Sequence, residues 1–401
     1  MKNQIPKQES NDTKKIKVLH PITRLIVGGA QENTLYTAEK LNHEIFKVDV
    51  LTGIQAGSEG SLYNEAIQRN IPIILLPELV REINPFFDLL AYKKLLNIIN
   101  QKKYSIVHTH SSKAGILGRI AAHQAKVPVI IHTVHGWSFH DHMSNRSQWI
   151  YIILERLTAN FSDALIAVSQ KDIQKGIAAG IGITEKYHLI RSAIPLNEFK
   201  FEKFNRSEIK SELSIPFDAP VVGNVGRFSS QKNPADWVKV AKEISLALPG
   251  CYFLMIGDGP LKPAIESELR SAGIMGQTIL TGLKRDIPRY LSIMDVFLLT
   301  SLWEGLPRTI PQAMSMKLPV ISYQINGIEE AILHGKTGYL AVPGDIRKIG
   351  SYCIELLKDP QKRLEFGERG YQVVQKEFNL EIMIENITKL YQNLLIQKID
   401  F

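Results

Sequence analysis

The stretch that decides the fold is Thr300–Ser322, TSLWEGLPRTIPQAMSMKLPVIS, which follows the apolar run Val296–Leu299. Pro307 suits the first turn of a helix, where its missing N–H leaves nothing unpaired. The pattern predicts a helix to about Met316 and then a strand, Leu318–Ser322. A strand, a glycine loop and a helix N-terminus present free backbone N–H groups at the carboxyl edge of a parallel sheet. Anionic ligands bind there in open α/β proteins, although such loops also occur without a ligand.

Two polar side chains of this stretch, Glu304 and Gln312, are eight residues apart. Eight residues make about two turns of a helix, so we expect both side chains to face one pocket from different depths. A glutamate in this position is also found as a helix cap with no ligand, and the residues alone leave both interpretations open.

Length and composition indicate an ordinary two-domain protein. The 401 residues exceed what one hydrophobic core usually holds, and 44% apolar with 22% charged residues is typical of a globular chain. No apolar run reaches eighteen residues, and the polar start MKNQIPKQESNDTKK does not resemble a signal peptide, so we expect a cytoplasmic protein. Only Cys251 and Cys353 are present, too few for a disulfide framework or a cysteine metal site.

The net charge of +8 is concentrated in the first half of the chain. Residues 1–195 contain 23 Lys and Arg against 16 Asp and Glu, net +7, whereas residues 196–401 contain 25 against 24, net +1. A basic surface attracts nucleic acid, acidic substrates or anionic membranes. No nucleic-acid motif is present, so we expect no nucleic-acid partner. Contact with the inner face of the plasma membrane and a merely solvated lysine-rich surface both stay open.

Strand and helix patterns alternate through the first half. Ile16–His20 predicts a buried strand, and a helix is predicted from Gln31 to Leu41. Gly28-Gly29 before that helix lets the backbone approach an anion, although a double glycine is more often a tight turn. Further strands are predicted at Val48–Leu51, Ile71–Leu76, Ile106–His110, Val129–Val134, Ala164–Val168 and Tyr187–Ile190, with helices near 87–100 and 146–160.

Polar side chains follow two of these strands. Ser111 is predicted to be a helix N-cap, whereas Lys113 stays open as a contact to phosphate or, together with His110, to an acceptor substrate. His135 ends a parallel strand and is followed by glycine, so we expect it to point into the ligand crevice.

A histidine metal site must also be considered, because His132, His135, His140 and His142 lie close together in sequence. Their spacing matches no helical or hairpin ligand pattern, and Asp141 is the only carboxylate nearby. We therefore expect no metal.

The alternation restarts after a connector that begins at Ile194-Pro195. Val221–Gly226 predicts a strand, and Arg227 and Lys232 just beyond it suit a diphosphate, whose charge they would neutralise as it leaves. The turn Gly257-Asp258-Gly259-Pro260 is weak evidence for a nucleotide and lacks the third glycine of a dinucleotide fingerprint, which argues against an oxidoreductase. Gly335–Leu340 resembles a short hairpin, and helices are predicted from Ile346 and from about Glu381.

Taken together, these motifs resemble the family 4 glycosyltransferases, retaining enzymes of the α/β GT-B fold, in which two Rossmann-like domains face each other across a cleft. The resemblance covers nearly all of residues 16–395, and the stretches HSSKAGILGR and HTVHGWSFHD resemble bacterial members that build capsule, exopolysaccharide or lipopolysaccharide. Its motifs are Gly28-Gly29-Ala30-Gln31, Thr133-Val134-His135-Gly136, Gly226-Arg227 with Lys232-Asn233, Gly257-Asp258-Gly259-Pro260 and Glu304-Gly305-Leu306-Pro307.

The resemblance implies a division of the chain. Residues 1–15 would be disordered, 16–194 would form the acceptor domain, 195–380 the domain for the nucleotide-sugar donor, and 381–401 a helix that crosses back to the first domain. The acceptor would be a glycan or a polyprenyl-lipid-linked glycan. The donor would be a nucleotide-diphosphate sugar, with UDP as the expected nucleotide.

The same resemblance implies roles for single residues. Arg227 and Lys232 would hold the donor diphosphate without a metal or other cofactor, His135 would contact the transferred sugar, and Glu304 would bind its hydroxyls. The remaining donor contacts would come from the backbone or the base-side loops at Gly28, Gly29, Asp258, Gly259, Gly282, Leu283, Gly305 and Leu306. The family pattern places a second glutamate where this chain has Gln312, which still accepts a hydrogen bond from ribose but brings no charge.

Two other functions share this fold. A sugar-nucleotide 2-epimerase needs acid and base carboxylates in the cleft, for which Glu304 alone is a poor set. A sugar-nucleotide-binding partner without activity is the second alternative, and it is motivated by Gln312.

Overall fold

The computed structural model describes residues 15–55, 59–140 and 142–399. Within them the chain forms two parallel sheets, of seven and six strands, each with helices on both faces. Residues 1–14 of the start predicted to be disordered lie outside this range, as does Asp141. The predicted α/β architecture of two Rossmann-like domains is confirmed.

The first domain is built on a sheet of strand order β3-β2-β1-β4-β5-β6-β7. Its strands are β1 (Ile16–Ile22), β2 (Phe46–Thr52), β3 (Ile73–Leu75), β4 (Ile106–His110), β5 (Val129–Val134), β6 (Ala164–Ala167) and β7 (Tyr187–Leu189). Its helices are α1 (Gly29–Lys40), α2 (Tyr63–Gln68), α3 (Pro85–Lys102), α4 (Ser112–Gln124), α5 (Asn145–Ala159) and α6 (Gln170–Ala178). The central strands β1, β2, β4, β5 and β6 are almost completely buried because helices cover both faces of the sheet.

The second domain repeats this plan with strand order β10-β9-β8-β11-β12-β13. Its strands are β8 (Val221–Val225), β9 (Tyr252–Ile256), β10 (Thr278–Leu280), β11 (Val296–Leu299), β12 (Val320–Tyr323) and β13 (Gly338–Ala341). Its helices are α7 (Arg206–Glu212), α8 (Pro234–Ala247), α9 (Lys262–Ser271), α10 (Ile287–Leu291), α11 (Thr309–Ser315), α12 (Ile346–Lys358) and α13 (Pro360–Glu377).

The order of the strands in each sheet indicates where a ligand crevice is expected. Each order reverses direction once, between β1 and β4 in the first sheet and between β8 and β11 in the second. Ligands of open α/β sheets bind beyond the carboxyl ends of the strands at such a reversal. The loops that follow these strands are therefore the ones expected to hold a ligand.

The last helix, α14 (Leu380–Ile399), returns to the first domain. Its buried side chains, among them Met383, Ile387 and Tyr391, join the apolar core on one face of the first sheet. The chain crosses between domains at two adjoining points, because the Ile194 N–H donates to the Phe378 carbonyl at 3.0 Å. None of the described helices has the length and apolar character that a membrane-spanning segment needs.

Three local predictions were wrong. Gly335–Leu340 is not a hairpin, because β13 pairs in parallel with β12. The helix after Pro307 begins only at Thr309, since residues 307–310 first make a turn in which the Ile310 N–H donates to the Pro307 carbonyl. Ser111 stands at the N-cap position of α4 but does not cap it; its hydroxyl oxygen accepts from the Thr23 N–H at 3.1 Å.

Candidate active site

A cavity of about 390 Å³ lies between the two domains, at the reversal points of both sheets. The first domain contributes the loop after β1 and the N-terminus of α1, including Gly28 and Gly29. The second domain contributes Arg227 and Lys232 after β8 and the loop Glu304–Leu306 after β11. Free N–H groups of a helix N-terminus therefore face two cations across the same space, an arrangement that suits a polyanion.

Both cations are paired with carboxylates of the protein. Arg227 forms an ion pair with Glu59 of the first domain. Lys232 pairs with Glu304, whose other carboxylate oxygen accepts from the Gln231 side chain at 3.3 Å. A diphosphate entering the cavity would compete with these carboxylates for the same charges.

Further arginines of the second domain bind carboxylates of the first. Arg285 contacts both Glu32 and Glu65 at 2.7 Å, and the buried Arg308 also pairs with Glu32. Burial would raise the pKa of the Glu32 carboxyl, but the charges of Arg308 and Arg285 hold it below its usual value. Glu32 thus remains ionised at neutral pH and ties α1 to the opposite wall of the cavity.

The backbones of the two domains lie close together at two glycines. A Cβ added to Gly305 would lie 2.5 Å from the His135 carbonyl oxygen and 2.9 Å from the Gly136 Cα. Gly136 has a φ of +127°, which side-chain-bearing residues rarely adopt. Backbone contact between the β5 loop and the β11 loop therefore requires glycine on both sides, and it brings His135 next to the loop Glu304–Leu306.

The remaining predicted donor residues divide into two groups. Asp258, Leu283 and Gln312 line the cavity, whereas Gly259 and Gly282 do not. Gly259 packs against the Phe228 backbone, and Gly282 accepts a hydrogen bond from the Gly257 N–H at 3.0 Å, so both shape the wall from behind. The Gln312 side-chain amide makes no hydrogen bond to a described residue, and it is therefore available to a ligand.

A second cavity, of about 280 Å³, adjoins the first and shares His135, Gln231, Glu304 and Gly305 with it. Its far wall carries cations and aromatic rings: Lys171, Lys175, Trp137, His140 and Trp303. The Trp303 ring stacks on His140 with centroids 4.3 Å apart. The two cavities together can hold two substrates, one on either side of His135.

The residues predicted to contact an acceptor do not reach either cavity. His110 is buried, and its Nδ1 lies 3.1 Å from His135 Nε2. Lys113 forms an ion pair with Asp88 at 2.6 Å and donates to the Glu82 carbonyl. His110 therefore contacts the site through His135, and Lys113 is held within the first domain away from both cavities.

Sequence reasoning missed the carboxylates and arginines that join the domains: Glu32, Glu59, Glu65, Arg285 and Arg308. Of these residues, Arg308 could have been proposed from the sequence, because it follows directly after the Glu304–Pro307 motif. The metal hypothesis also centred on other histidines: among the described residues, the three whose ring nitrogens lie within 4.8 Å of one another are His20, His108 and His110.

Comparison with protein families assigns each domain separately. Residues 27–198 match the family described as Glycosyltransferase Family 4, and residues 205–373 match the family described as Glycosyl transferases group 1. The two matches together cover both sheets except β1, and their junction falls within the connector.

Individual proteins agree with this assignment over most of the chain. The UDP-Gal:alpha-D-GlcNAc-diphosphoundecaprenol alpha-1,3-galactosyltransferase of Escherichia coli is 29% identical over 96% of this chain and 98% of its own length. The capsular polysaccharide biosynthesis glycosyltransferase CapM of Staphylococcus aureus is 25% identical over 84% of this chain and 88% of its own. The crystal structure of Anabaena Alr3699/HepE in complex with UDP and glucose superposes with a TM-score of 0.82, at 19% identity over 94% of this chain and all of that one.

Proposed function

This chain is a glycosyltransferase in which a family 4 domain precedes a group 1 domain, and from that premise we propose the reaction. It transfers a sugar from a UDP-sugar, with retention at the anomeric carbon, to a lipid-diphosphate-linked glycan in the synthesis of a cell-surface polysaccharide. The observation that carries the proposal is the convergence of Arg227, Lys232 and the α1 N-terminus on one cavity.

The proposed reaction breaks the bond between the anomeric carbon and the diphosphate oxygen. The acceptor hydroxyl oxygen bonds to the same face of the sugar, and its proton passes to the departing UDP. Negative charge therefore grows on the diphosphate, where Arg227 and Lys232 stabilise it. Because these cations balance that charge, we propose that no metal ion is needed.

The acceptor is proposed to occupy the second cavity. Lys171 and Lys175 offer charge to a diphosphate, and the Trp303 ring offers a face on which a sugar can stack. The E. coli relative is named for an acceptor with both parts, a GlcNAc joined to diphosphoundecaprenol. His135, Gln231, Glu304 and Gly305 would then lie between donor and acceptor.

The experiment that tests the donor site is thermal unfolding with UDP, GDP and a panel of UDP-sugars, each with EDTA or Mg²⁺. A ligand that binds only the folded state raises the unfolding midpoint. We expect UDP and one of the UDP-sugars to raise the midpoint. Each should raise it by the same amount with EDTA as with Mg²⁺. A shift that requires Mg²⁺ would contradict metal independence. The absence of any shift would favour a partner that has lost its donor site, with Gln312 as the visible change.

Transfer is then tested with the stabilising UDP-sugar and a synthetic polyprenyl-diphosphate GlcNAc, and the product linkage is read by NMR. An α-linked product from an α-linked donor agrees with retention, and a β-linked product contradicts it. Epimerised sugar nucleotide formed without acceptor would instead identify a 2-epimerase.

A lipid-linked acceptor implies contact with a membrane, and we propose that the first domain makes it. Exposed apolar side chains stand at the N-terminal parts of α3 and α5, on either side of α4: Phe86 is 67% and Trp149 65% exposed. The same half of the chain carries the excess of +7 charge, which anionic lipid attracts.

We expect the double variant Phe86→Ala/Trp149→Ala to bind vesicles of anionic lipid at least about tenfold more weakly, because each ring contributes about 1.5–3 kcal/mol when buried in an apolar phase. The measurement is vesicle sedimentation at low salt. Phe217→Ala is the matched control, since Phe217 is 66% exposed on the second domain. If vesicles retain the wild type, the double variant and Phe217→Ala equally, the surface at Phe86 and Trp149 does not contact the membrane.

A further inference from the structure

Four histidines and one tyrosine form a line from the last helix to the active site. His20 lies on β1, His108 and His110 on β4, His135 just beyond β5, and Tyr391 on α14. The first three histidines and Tyr391 are at most 1% exposed. The line therefore passes through the interior of the first domain and ends at His135, which borders both cavities.

Each member of the line contacts the next through a side-chain polar atom. The Tyr391 hydroxyl lies 3.4 Å from His20 Nε2, His20 Nδ1 lies 2.9 Å from His110 Nε2, and His110 Nδ1 lies 3.1 Å from His135 Nε2. On its other side the Tyr391 hydroxyl lies 2.6 Å from His108 Nδ1. His108 Nε2 in turn lies 2.6 Å from the Thr133 hydroxyl.

The histidines of this line are neutral at neutral pH. Burial lowers the pKa of His20 to about 3 and, together with the charge of Arg308, that of His135 to about 4. Burial likewise holds the pKa values of His108 and His110 well below the usual value. A neutral imidazole donates from one nitrogen and accepts at the other, so fixing one ring of the line fixes its neighbours.

The Tyr391 hydroxyl sets the direction of the line. Burial raises its pKa far above the usual value, so it keeps its proton. We assign that single proton to the shorter contact, at 2.6 Å to His108 Nδ1, which leaves the oxygen lone pairs for the His20 Nε2–H at 3.4 Å. His20 Nδ1 then accepts from His110 Nε2–H, and His110 Nδ1 accepts from His135 Nε2–H.

We propose that Tyr391 is a positioning residue, which through His20 and His110 holds His135 in the Nε2–H tautomer. The bare Nδ1 of His135 makes no hydrogen bond to a described residue and accepts one from a hydroxyl of the bound sugar. That last contact rests on the proposed function, whereas the tautomer of His135 does not. The last helix thereby takes part in the chemistry of a cleft that it does not line.

The tautomer is measured directly in ligand-free protein labelled with ¹⁵N-histidine, by long-range ¹H–¹⁵N correlation spectra, with His135→Gln to assign the signal. We expect the Nε2–H form of His135 in the wild type and a mixture with the Nδ1–H form in Tyr391→Phe. Tyr104→Phe is the matched control, because Tyr104 is also buried in the first domain and loses a hydroxyl bonded to Asp49 instead. Its spectrum should equal that of the wild type.

Kinetics provide a second readout. Tyr391→Phe is expected to lower kcat for transfer on the order of tenfold to a hundredfold, which is the loss seen when a group that orients a metal-bound histidine is removed. The affinity for UDP should be unchanged. Tyr104→Phe should stay within about twofold of the wild type.

Three results would overturn the proposal, and the first does not depend on the Tyr391→Phe variant. One is an Nδ1–H tautomer of His135 in the wild type, and another is a His135 spectrum that Tyr391→Phe does not alter. The third is one equivalent of a transition metal in the purified protein that is lost in His108→Gln, since His20, His108 and His110 would then be metal ligands rather than links of a hydrogen-bonded line.

Discussion

Replacing Lys232 with alanine is expected to lower the turnover number for sugar transfer by at least about a hundredfold, the usual effect of removing one group that stabilises developing negative charge. Lys232 lines the cavity and pairs with Glu304. Without the lysine, the departing diphosphate loses a cation and also meets the Glu304 carboxylate with its charge unbalanced. Turnover number is measured under saturating donor, so that weaker binding does not enter it.

The variant should remain folded, because the Lys232 side chain is partly exposed and Glu304 keeps its bond to Gln231. Lys239→Ala is the matched control. Lys239 lies on α8, the helix that directly follows the Lys232 loop. It pairs with Asp236 and does not border the cavity. Turnover of Lys232→Ala near that of Lys239→Ala would contradict the assignment of the diphosphate site.

The sequence predicted the plan of both domains because the information for it is local. Strands β4, β5 and β11 were predicted with the bounds that the structure has, since each is a short segment rich in apolar and β-branched residues. Helix α13 was missed although Asp359 caps it and Pro360 opens it. These two signals follow directly on α12, and only one helix, from Ile346, was predicted before the last one.

The hairpin prediction at Gly335–Leu340 failed for a reason that no local pattern reveals. Gly335 does adopt a turn conformation, with a φ of +72°. The residues after it, however, pair with β12, which precedes them by about fifteen residues, in parallel. Turn chemistry fixes where the chain bends but not which strand the following residues will join.

In the candidate site, too, the residues marked by a local pattern were predicted, whereas contacts between distant segments were not. The cations Arg227 and Lys232 were predicted because strand ends mark the crevice, yet the carboxylate that pairs with Arg227 comes from Glu59, 168 residues away. His110 was predicted to contact an acceptor. Its burial against His20 and His135 depends on how β1, β4 and β5 are ordered in the sheet, and that order is not written in any one segment.

The second large effect concerns stability rather than catalysis. Arg119 on α4 and Glu155 on α5 form an ion pair at 2.6 Å whose side chains are 0% and 3% exposed. Arginine cannot lose its proton to escape the apolar surroundings. Replacing Glu155 with glutamine therefore leaves a buried positive charge without its counter-ion, which typically costs about 3–5 kcal/mol.

For a domain of this size we expect Glu155→Gln to lower the unfolding midpoint by about 6 to 20 °C. Glu385→Gln is the control, because its partner Lys389 lies at the same 2.6 Å on the exposed face of α14, and exposed pairs contribute little. The double variant Arg119→Met/Glu155→Leu distinguishes the cause: removing both charges should recover most of the loss, since apolar side chains replace a buried ion pair at little or no cost. If the double variant unfolds as early as Glu155→Gln, the loss comes from packing between α4 and α5 and not from the unpaired charge of Arg119.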